Sequence, residues 1–226
     1  MIKWNKKYTY PKTVRSNVDG KRVYEVADEK LPSVTTILGQ TQSIEKQESL
    51  AKWIAKKGKI EADKIKATAA ARGSAMHSII ERHLLEKDVL DLTDVGQEAH
   101  RMAKVVMDKG FGELEEIWGS EVTLNYPGLY AGQTDLCGIY QGRESIIDFK
   151  QSNKPKREEW IEDYYYQLVA YAMAHDAVYG TQIEQGVILM CTPDLFFQKF
   201  VLNGARFRQY KWKWLWRLSE YYRQKM

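Results

Sequence analysis

The segment SIIDFKQS, residues 145–152, places two opposite charges on an otherwise apolar stretch that reads as a strand. Side chains alternate between the two faces of a strand, so Asp148 and Lys150 point one way while Ile147 and Phe149 point the other. A buried ion pair is a poor stabiliser, because the cost of desolvating both charges offsets their attraction. Two charges on one face of a buried strand therefore indicate chemistry rather than structural support.

A second acid is expected to face Asp148 across a hairpin. The preceding segment, YAGQTDLCGIY, contains Asp135, and Gln141-Gly142 has the composition of a tight two-residue turn. With that turn, the two acids are opposite, with Cβ atoms roughly 4.5–5.5 Å apart. Carboxylates that close repel each other unless a cation lies between them, and Mg²⁺ prefers oxygen ligands. A bulge would shift this register, and the alternative is a structural pair of Asp148 with its neighbouring lysine.

Two helix-like segments carry polar residues at helical spacing. DYYYQLVAYAMA places Gln167 and Tyr171 four residues apart, and ARGSAMHSIIERHL does the same for His77 and Glu81. Residues four apart lie on one face of a helix. An aromatic packing stripe explains Tyr171 as well as a functional role does, and a lone helical His is most often a satisfied structural residue. The H-E-x-x-H pattern of zinc proteases does not occur.

The composition excludes several classes of protein. Two cysteines, Cys137 and Cys191, are too few for a disulfide framework, a four-cysteine iron–sulfur cluster or a Cys-built zinc site within one chain. The sequence has no apolar run that could span a bilayer and no P-loop, so any helicase motor is a separate protein. The N-terminus lacks the apolar core of a signal peptide. We therefore expect a reducing, intracellular setting and no membrane partner.

Basic residues are concentrated at the two ends of the chain, within residues 1–22 and from residue 199 onward, whereas residues 86–121 are acidic. This separation favours a polyanionic partner bound by the two ends. Solvated helix faces explain the same charges equally well.

The tail RFRQYKWKWLWRLSEYYRQK combines basic residues with aromatic rings, the two kinds of side chain that bind single strands of nucleic acid. Trp212, Leu215 and Tyr222 nevertheless fall near one helical face, with Trp216 next to it. We therefore expect most of the tail's Trp residues to lie in the core.

The pattern of apolar residues predicts one α/β domain over residues 1–226. Residues 1–110 are expected to form a hairpin turning at Asp19-Gly20 and a set of helices, and residues 111–226 a sheet with flanking helices. The predicted helices cover residues 33–39, 44–71, 74–86, 96–109, 158–179 and 205 to the end. The predicted strands of the second part cover residues 120–126, 130–140, 145–150, 185–192 and 196–202.

Together these motifs resemble the PD-(D/E)xK nuclease superfamily, specifically its RecB-like branch. The matching residues are His77, Gly132 and Asp135 in GQTD, Asp148 and Lys150 in DFK, and Gln167 and Tyr171 in QLVAY. In the N-terminal half, LPSVTTIL, SLAKWI and ARGSAMHSIIE are similar to the group formed by the mitochondrial genome maintenance exonuclease and its phage and bacterial relatives. The chain shows no transit-like extension, which favours the cytoplasm of a bacterial or phage-infected cell.

The resemblance implies a restriction-endonuclease-like α/β core, with a central mixed sheet flanked by helices and a helical N-terminal arch. It implies a Mg²⁺- or Mn²⁺-dependent deoxyribonuclease that acts on single-stranded DNA from a free end, alongside separate replication, recombination or repair proteins. The alternatives are a structure-specific endonuclease of the junction-resolvase or flap type, which uses the same core, and a DNA-binding module without turnover.

The resemblance also implies roles for single residues. Asp135, Asp148 and the backbone carbonyl of Phe149 would hold the metal, with support from His77. Lys150 would position or deprotonate the attacking water and stabilise charge on the phosphate, as expected for metal-assisted hydrolysis. Gln167 and Tyr171 would orient Lys150 or bind substrate, and Glu121 would reach the metal through water. The candidate substrate-binding residues are Arg72, Lys52, Lys56, Lys154, Lys211 and Lys213, with Gly73 and Glu81 as further candidates.

Overall fold

A six-stranded mixed sheet forms the centre of the fold. The computed structural model describes residues 2–26, 28–87 and 91–225. The strands of the main sheet are β1 (Lys3–Trp4), β5 (Leu114–Tyr126), β6 (Tyr130–Tyr140), β7 (Arg143–Gln151), β8 (Gln185–Cys191) and β9 (Phe197–Asn203), in the spatial order β1-β5-β6-β7-β8-β9. The pairs β1–β5 and β7–β8 are parallel and the other neighbours are antiparallel.

Helices cover both faces of this sheet. They are α1 (Val34–Gln40), α2 (Ile44–Lys57), α3 (Lys59–Leu84), α4 (Asp94–Gly110), α5 (Glu162–Tyr179) and α6 (Gly204–Arg223). Ile146 and Ile188 pack into one core with α1, α5 and α6, whereas Ile147 and Leu189 pack into a second core with α3 and α4. The predicted α/β class, with a central mixed sheet flanked by helices, is confirmed. Within the described ranges, no helix is both long and apolar enough to cross a bilayer.

The hairpin that carries the acidic motif has the predicted turn and register. Gln141 and Gly142 have φ angles of 53° and 70°, as a type I′ turn requires at both of its central positions. The strands pair from Tyr140↔Arg143 to Leu136↔Ile147. Local turn chemistry therefore determines which residues of β6 and β7 lie side by side.

A second, three-stranded sheet precedes the helices. It contains β2 (Val14–Val18), β3 (Lys21–Val26) and β4 (Glu29–Pro32). Asp19 and Gly20, with φ angles of 49° and 74°, form the predicted tight turn between β2 and β3. The sequence analysis predicted neither β4 nor β1, which are the two shortest strands. The division of one domain at residue 110 stays a prediction.

The long helical region breaks at a different glycine from the one we expected. The sequence analysis separated helices 44–71 and 74–86 near Gly73, but α3 runs through that residue without interruption. The break lies at Gly58, whose φ angle of 82° suits glycine and ends α2. A Cβ on Gly73 would lie 3.4 Å from the Gln151 side chain, an ordinary contact distance, so α3 packs beside β7 at this residue without requiring glycine.

Candidate active site

The site lies where β6 and β7 stop pairing. Beyond Leu136↔Ile147, the Asp135 carboxylate accepts a hydrogen bond from the backbone N–H of Phe149, at 2.6 Å. The sheet register therefore brings Asp135 next to the strand that carries Asp148, although the ladder ends one residue before the predicted pair of Asp135 and Asp148.

The neighbouring strand brings a further carboxylate to the same row. β5 pairs with β6 at Ser120↔Leu136 and Val122↔Thr134, so Glu121 lies across from Asp135. Glu121 has a φ angle of 52°, a left-handed conformation that is uncommon for residues other than glycine. Its carbonyl accepts a hydrogen bond from the Gln133 side chain at 3.0 Å. Backbone strain of this kind concentrates at functional sites, where it aims a side chain in an otherwise unfavourable direction.

An imidazole from α3 completes a compact group of ligand atoms. His77 Nδ1 lies 3.3 Å from an Asp135 oxygen and 3.6 Å from a Glu121 oxygen. One donor atom from each of these three residues lies within 4.8 Å of the other two, close enough to bind a single ion. We define His77, Glu121 and Asp135 as the ligand cluster.

The ligand cluster has the electrostatics of a site that attracts a cation. Burial lowers the pKa of His77, but the charge of Asp135 and hydrogen bonds to both acids outweigh that effect and raise it to about 10. Burial raises the pKa of Asp135, but His77 and Lys150 bring it below its usual value. Both acid and base are therefore charged, and a bound cation would replace the proton on His77.

Asp148 and Lys150 form an ion pair beside the ligand cluster. The Lys150 ammonium contacts the Asp148 carboxylate and lies 5.1 Å from the centre of the Tyr164 ring. Burial raises the pKa of Asp148 to about 6, with a contribution from Asp135, although Lys150 opposes the rise. Burial also lowers the pKa of Lys150, but the charge of Asp148 outweighs this effect, so Lys150 is charged.

One open cleft of about 500 Å³ unites these groups. Its lining residues include His77, Glu81, Glu121, Asp135, Asp148, Lys150, Gln167 and Tyr171. Tyr171 fits closely against β6, because a Cβ on Gly132 would lie only 2.6 Å from its ring. Gly132 in the GQTD motif thus makes room for the tyrosine of the QLVAY motif, and α5 contributes Gln167 and Tyr171 to the same space as the acids.

The chemistry of the donor set fits a divalent cation. Carboxylate oxygens are the preferred ligands of Mg²⁺ and Mn²⁺, and an imidazole nitrogen is compatible with Mn²⁺. Asp148 and the Phe149 carbonyl, which the resemblance implies as ligands, adjoin the ligand cluster without belonging to it. Glu121, expected to act only through water, has its carboxylate directly within the cluster.

Arg72, a candidate for substrate binding, is held inside the protein. Its Nε lies 2.8 Å from Glu98 of α4, and its guanidinium donates to Asn153 at 3.1 Å just after β7. The side chain is buried, whereas its neighbour Gly73 lines the cleft. This placement favours a role in joining α3, α4 and β7 over contact with substrate.

The five lysine candidates fall into two groups. Lys211 and Lys213 of α6 lie 3.1 Å from Asp176 and Glu162 of α5, so these pairs join two helices. The others are Lys52, 3.7 Å from Glu48, and the exposed Lys56 and Lys154. None of these five lysines lines the cleft as the described residues define it.

The expected core face of the C-terminal tail is wrong. Trp212 and Trp216 are 71% and 70% exposed, and Trp214 is buried in their place. The buried face of α6 consists of Phe207, Tyr210, Trp214, Leu218 and Tyr221. Because the tail carries large apolar residues around most of the helix, periodicity alone does not identify the face that meets α5.

Three cleft residues from the N-terminal sheet escaped the sequence analysis. Arg15, Arg22 and Tyr24 line the same cleft as the acids. The hairpin and its turn were predicted, and the basic N-terminus favoured a polyanionic partner. The position of the second sheet relative to the first could not be predicted, because no local sequence pattern encodes it.

Comparisons with known proteins find relatives that match most of the chain. Mitochondrial genome maintenance exonuclease 1 of Homo sapiens is 30% identical over 208 residues, which are 84% of this chain and 58% of that protein. The protein of the same name from Mus musculus is 28% identical over 204 residues, which are 84% of this chain and 59% of that protein. The chain thus spans less than two thirds of the length of these curated relatives. No protein-family profile matches it.

Solved structures resemble the chain only loosely. The alkaline exonuclease LHK-Exo of Laribacter hongkongensis aligns over 67% of this chain and 83% of that chain, with 14% identity and a TM-score of 0.29. A likeness this weak carries no conclusion about function.

Proposed function

We propose that this chain is a metal-dependent nuclease of the PD-(D/E)xK superfamily, RecB-like branch, that hydrolyses single-stranded DNA from a free end. The observation that carries the proposal is the meeting of the ligand cluster with the Asp148–Lys150 pair in one open cleft. The curated relatives support it, because their name describes an exonuclease.

In this proposal the ligand cluster and Asp148 hold Mg²⁺ or Mn²⁺, together with the carbonyl of Phe149. A divalent cation held there supplies positive charge to the phosphate and acidifies water at neutral pH. Asp135 is already oriented for this task, because one of its oxygens accepts the Phe149 N–H and the other faces His77. The protein thus prepares the carboxylate in a fixed position before any ligand arrives.

Lys150 acts on the phosphate in its charged form. Its pKa lies above the usual value for lysine, so the ammonium is a hydrogen-bond donor and a counter-charge rather than a base. Asp148 and the Tyr164 ring keep it at the edge of the cleft. Charge that develops on a phosphate oxygen during displacement is stabilised by such a fixed donor.

Gln167 and Tyr171 orient the substrate or Lys150 from the α5 side. Burial raises the pKa of Tyr171 well above its usual range, so its hydroxyl stays neutral and can donate a hydrogen bond. No residue of the cleft needs to form a covalent bond with the substrate.

The test uses an end-labelled oligonucleotide as a linear single strand, as a duplex and as a closed single-stranded circle. We expect the linear strand to be degraded with Mg²⁺ or Mn²⁺, the circle to stay intact, and EDTA to abolish the reaction. Rapid cutting of circles would show a structure-specific endonuclease instead. Binding without turnover under every metal condition would show a DNA-binding module.

Two variants connect that assay to the cleft. Asp148→Asn should lose hydrolysis, whereas Asp108→Asn, the same change on the exposed face of α4, should keep it. Equal activity of the two variants would refute the assignment of the site.

A further inference from the structure

The β2–β3 hairpin turns two arginines toward the cleft. Arg15 pairs with Tyr24 and Asn17 pairs with Arg22 in the antiparallel register. Directly opposed residues point to the same face, as do residues two apart along a strand. Arg15, Arg22 and Tyr24 therefore share one face, and all three line the cleft that contains the acids.

The backbone under these arginines is fixed to the rest of the protein. The Arg22 carbonyl accepts hydrogen bonds from the Ser33 N–H at 3.1 Å and from the Thr36 hydroxyl at 3.0 Å, both at the start of α1. Tyr24 is buried against Ala131 of β6, close to the acidic motif. The hairpin therefore holds its exposed guanidinium groups at a set distance from the main sheet.

The two guanidinium groups have no counter-ion among the residues that the structure describes. Across residues 2–26, 28–87 and 91–225, neither Arg15 nor Arg22 belongs to an ion pair, although both are exposed beside a cleft lined by four acids. Arg22 is also within electrostatic reach of α5: burial raises the pKa of Tyr171, and the charge of Arg22 opposes that rise. Unpaired arginines on a fixed wall are suited to bind an anion that enters the cleft.

The guanidinium group matches one ligand in particular. Its planar fork of N–H donors binds the two free oxygens of a phosphate through parallel hydrogen bonds. The acids of the same cleft repel a phosphate unless a cation neutralises them. Arginines in this cleft therefore supply positive charge for phosphates that lie next to the one at the metal site.

We propose that Arg15 and Arg22 form a phosphate clamp, which binds backbone phosphates next to the one that is cut. The clamp rests on the proposed function, and it specifies the substrate as a polynucleotide strand rather than a small phosphate ester. Tyr24 is buried on the same face, opposite Arg15 and two residues from Arg22, and so sets the spacing of the clamp.

The experiment measures binding separately from hydrolysis. Fluorescence anisotropy of a labelled single-stranded oligonucleotide is recorded with Mg²⁺ in an Asp148→Asn background, so that a cation can neutralise the acids while cleavage does not interfere. Arg15→Gln and Arg22→Gln are each expected to weaken binding by about 10-fold, the loss typical of a hydrogen bond to a charged group. Each should also reduce the slope of log affinity against log salt by about 0.7, the value for one phosphate contact to a single strand.

Lys21→Gln is the matched control. Lys21 adjoins Arg22 in the chain but projects from the opposite face of β3. Lys21→Gln therefore removes one positive charge, as Arg22→Gln does, but from a position outside the cleft. Lys21→Gln should reduce affinity by less than about 2-fold, since an exposed charge at this distance is largely screened. Arg22→Lys keeps the positive charge but loses the planar fork of donors. Its affinity for the oligonucleotide should lie between those of the protein with Arg22 and the Arg22→Gln variant.

The outcomes separate the clamp from the nuclease proposal. If both arginine variants bind like Lys21→Gln, or if the Asp148→Asn protein binds no oligonucleotide, the clamp is refuted. If the arginines prove necessary for binding while the unsubstituted protein hydrolyses nothing, the clamp stands and the proposed function fails. Circular dichroism melting of each variant shows whether a loss of affinity comes from unfolding.

Discussion

Phe149 donates its backbone N–H to the Asp135 carboxylate at 2.6 Å, at the point where the ladder between β6 and β7 has ended. The Asp135 side chain thus makes a hydrogen bond between β6 and β7 just beyond the last backbone pair of these strands. The same carboxylate faces His77 with its other oxygen. Asp135 therefore has two tasks, one in holding two strands together and one in the ligand cluster, and single substitutions separate them.

Asp135→Asn should separate the charge from the hydrogen bond. The amide oxygen can still accept the Phe149 N–H, so the free energy of unfolding should fall by no more than about 1–2 kcal/mol. Loss of a negative ligand should reduce hydrolysis of a single-stranded oligonucleotide by at least about 10²-fold, since even the partners of metal ligands are worth 10- to 100-fold. Urea denaturation and a rate assay test the two parts. Full activity of the Asp135→Asn variant would show that the Asp135 charge is not needed for hydrolysis.

Metal affinity should depend on the α3 imidazole and on the strained glutamate of β5. His77→Ala and Glu121→Gln are each expected to weaken Mn²⁺ binding by at least about 10-fold, because each removes a donor from a group that spans only 4.8 Å. Isothermal titration measures this without any turnover. His100→Ala, which removes an exposed imidazole from α4, is the control and should leave affinity unchanged. Equal affinity in all three variants would place the cation elsewhere.

Arg72 should affect stability rather than substrate binding. Its guanidinium joins Glu98 of α4 to Asn153 after β7, and Arg72→Met breaks both contacts in a buried setting. Leaving Glu98 without its partner should cost about 2–4 kcal/mol of unfolding free energy, less than a fully buried pair because Glu98 is partly exposed. Chemical denaturation measures the cost.

Oligonucleotide affinity of the folded Arg72→Met protein distinguishes the two roles of this residue. A joining residue leaves the affinity within about 2-fold of the original, because its buried guanidinium is already paired with Glu98 and Asn153 and contacts no phosphate. A loss of oligonucleotide affinity of 10-fold or more at unchanged stability would show that Arg72 binds substrate.

Features governed by local rules could be predicted from the sequence. Gln141 and Gly142 determine a turn, the turn determines the register of β6 and β7, and that register ends at Leu136↔Ile147, one residue before Asp135 and Asp148. Alternation along β7 then separates the cleft residues from Ile147 and Phe149, which lie in the core with α3 and α4. Each step involves residues close together in the chain.

Features that depend on distant pairing could not be predicted. Glu121 is not such a feature, because β5 and β6 keep one register from Tyr126↔Tyr130 to Gly119↔Cys137, and a count from their turn places Glu121 opposite Asp135. The approach of Arg15 and Arg22 to the cleft is such a feature, since no local pattern tells how the second sheet lies against the first. The face of α6 depends likewise on where α5 and β9 offer space. The roles of individual residues in the cleft stay predictions, since they concern chemistry rather than position.

Far from the cleft, His175 should make stability depend on pH. The ring is fully buried, with Tyr10 and Thr181 hydroxyls 3.1 and 2.8 Å from its two nitrogens, and Tyr8 and Tyr179 pack against it. Burial lowers the pKa of His175 from 6.5 to about 4, and the nearby charge of Lys7 adds to the effect. The imidazole is therefore neutral in the folded protein over a range in which the unfolded chain is protonated.

The direction of the pH effect follows from this difference. Between pH 6.5 and 4 the unfolded state binds the proton more readily, so the free energy of unfolding should fall as the pH falls through that window. The full shift corresponds to roughly 3 kcal/mol, of which most is lost by about pH 4.5. His175→Gln keeps polar atoms beside Tyr10 and Thr181 but cannot be protonated, so it should show a shallower slope in urea denaturation between pH 7 and 4.5. Parallel slopes in the two proteins would mean that His175 accepts a proton as easily folded as unfolded.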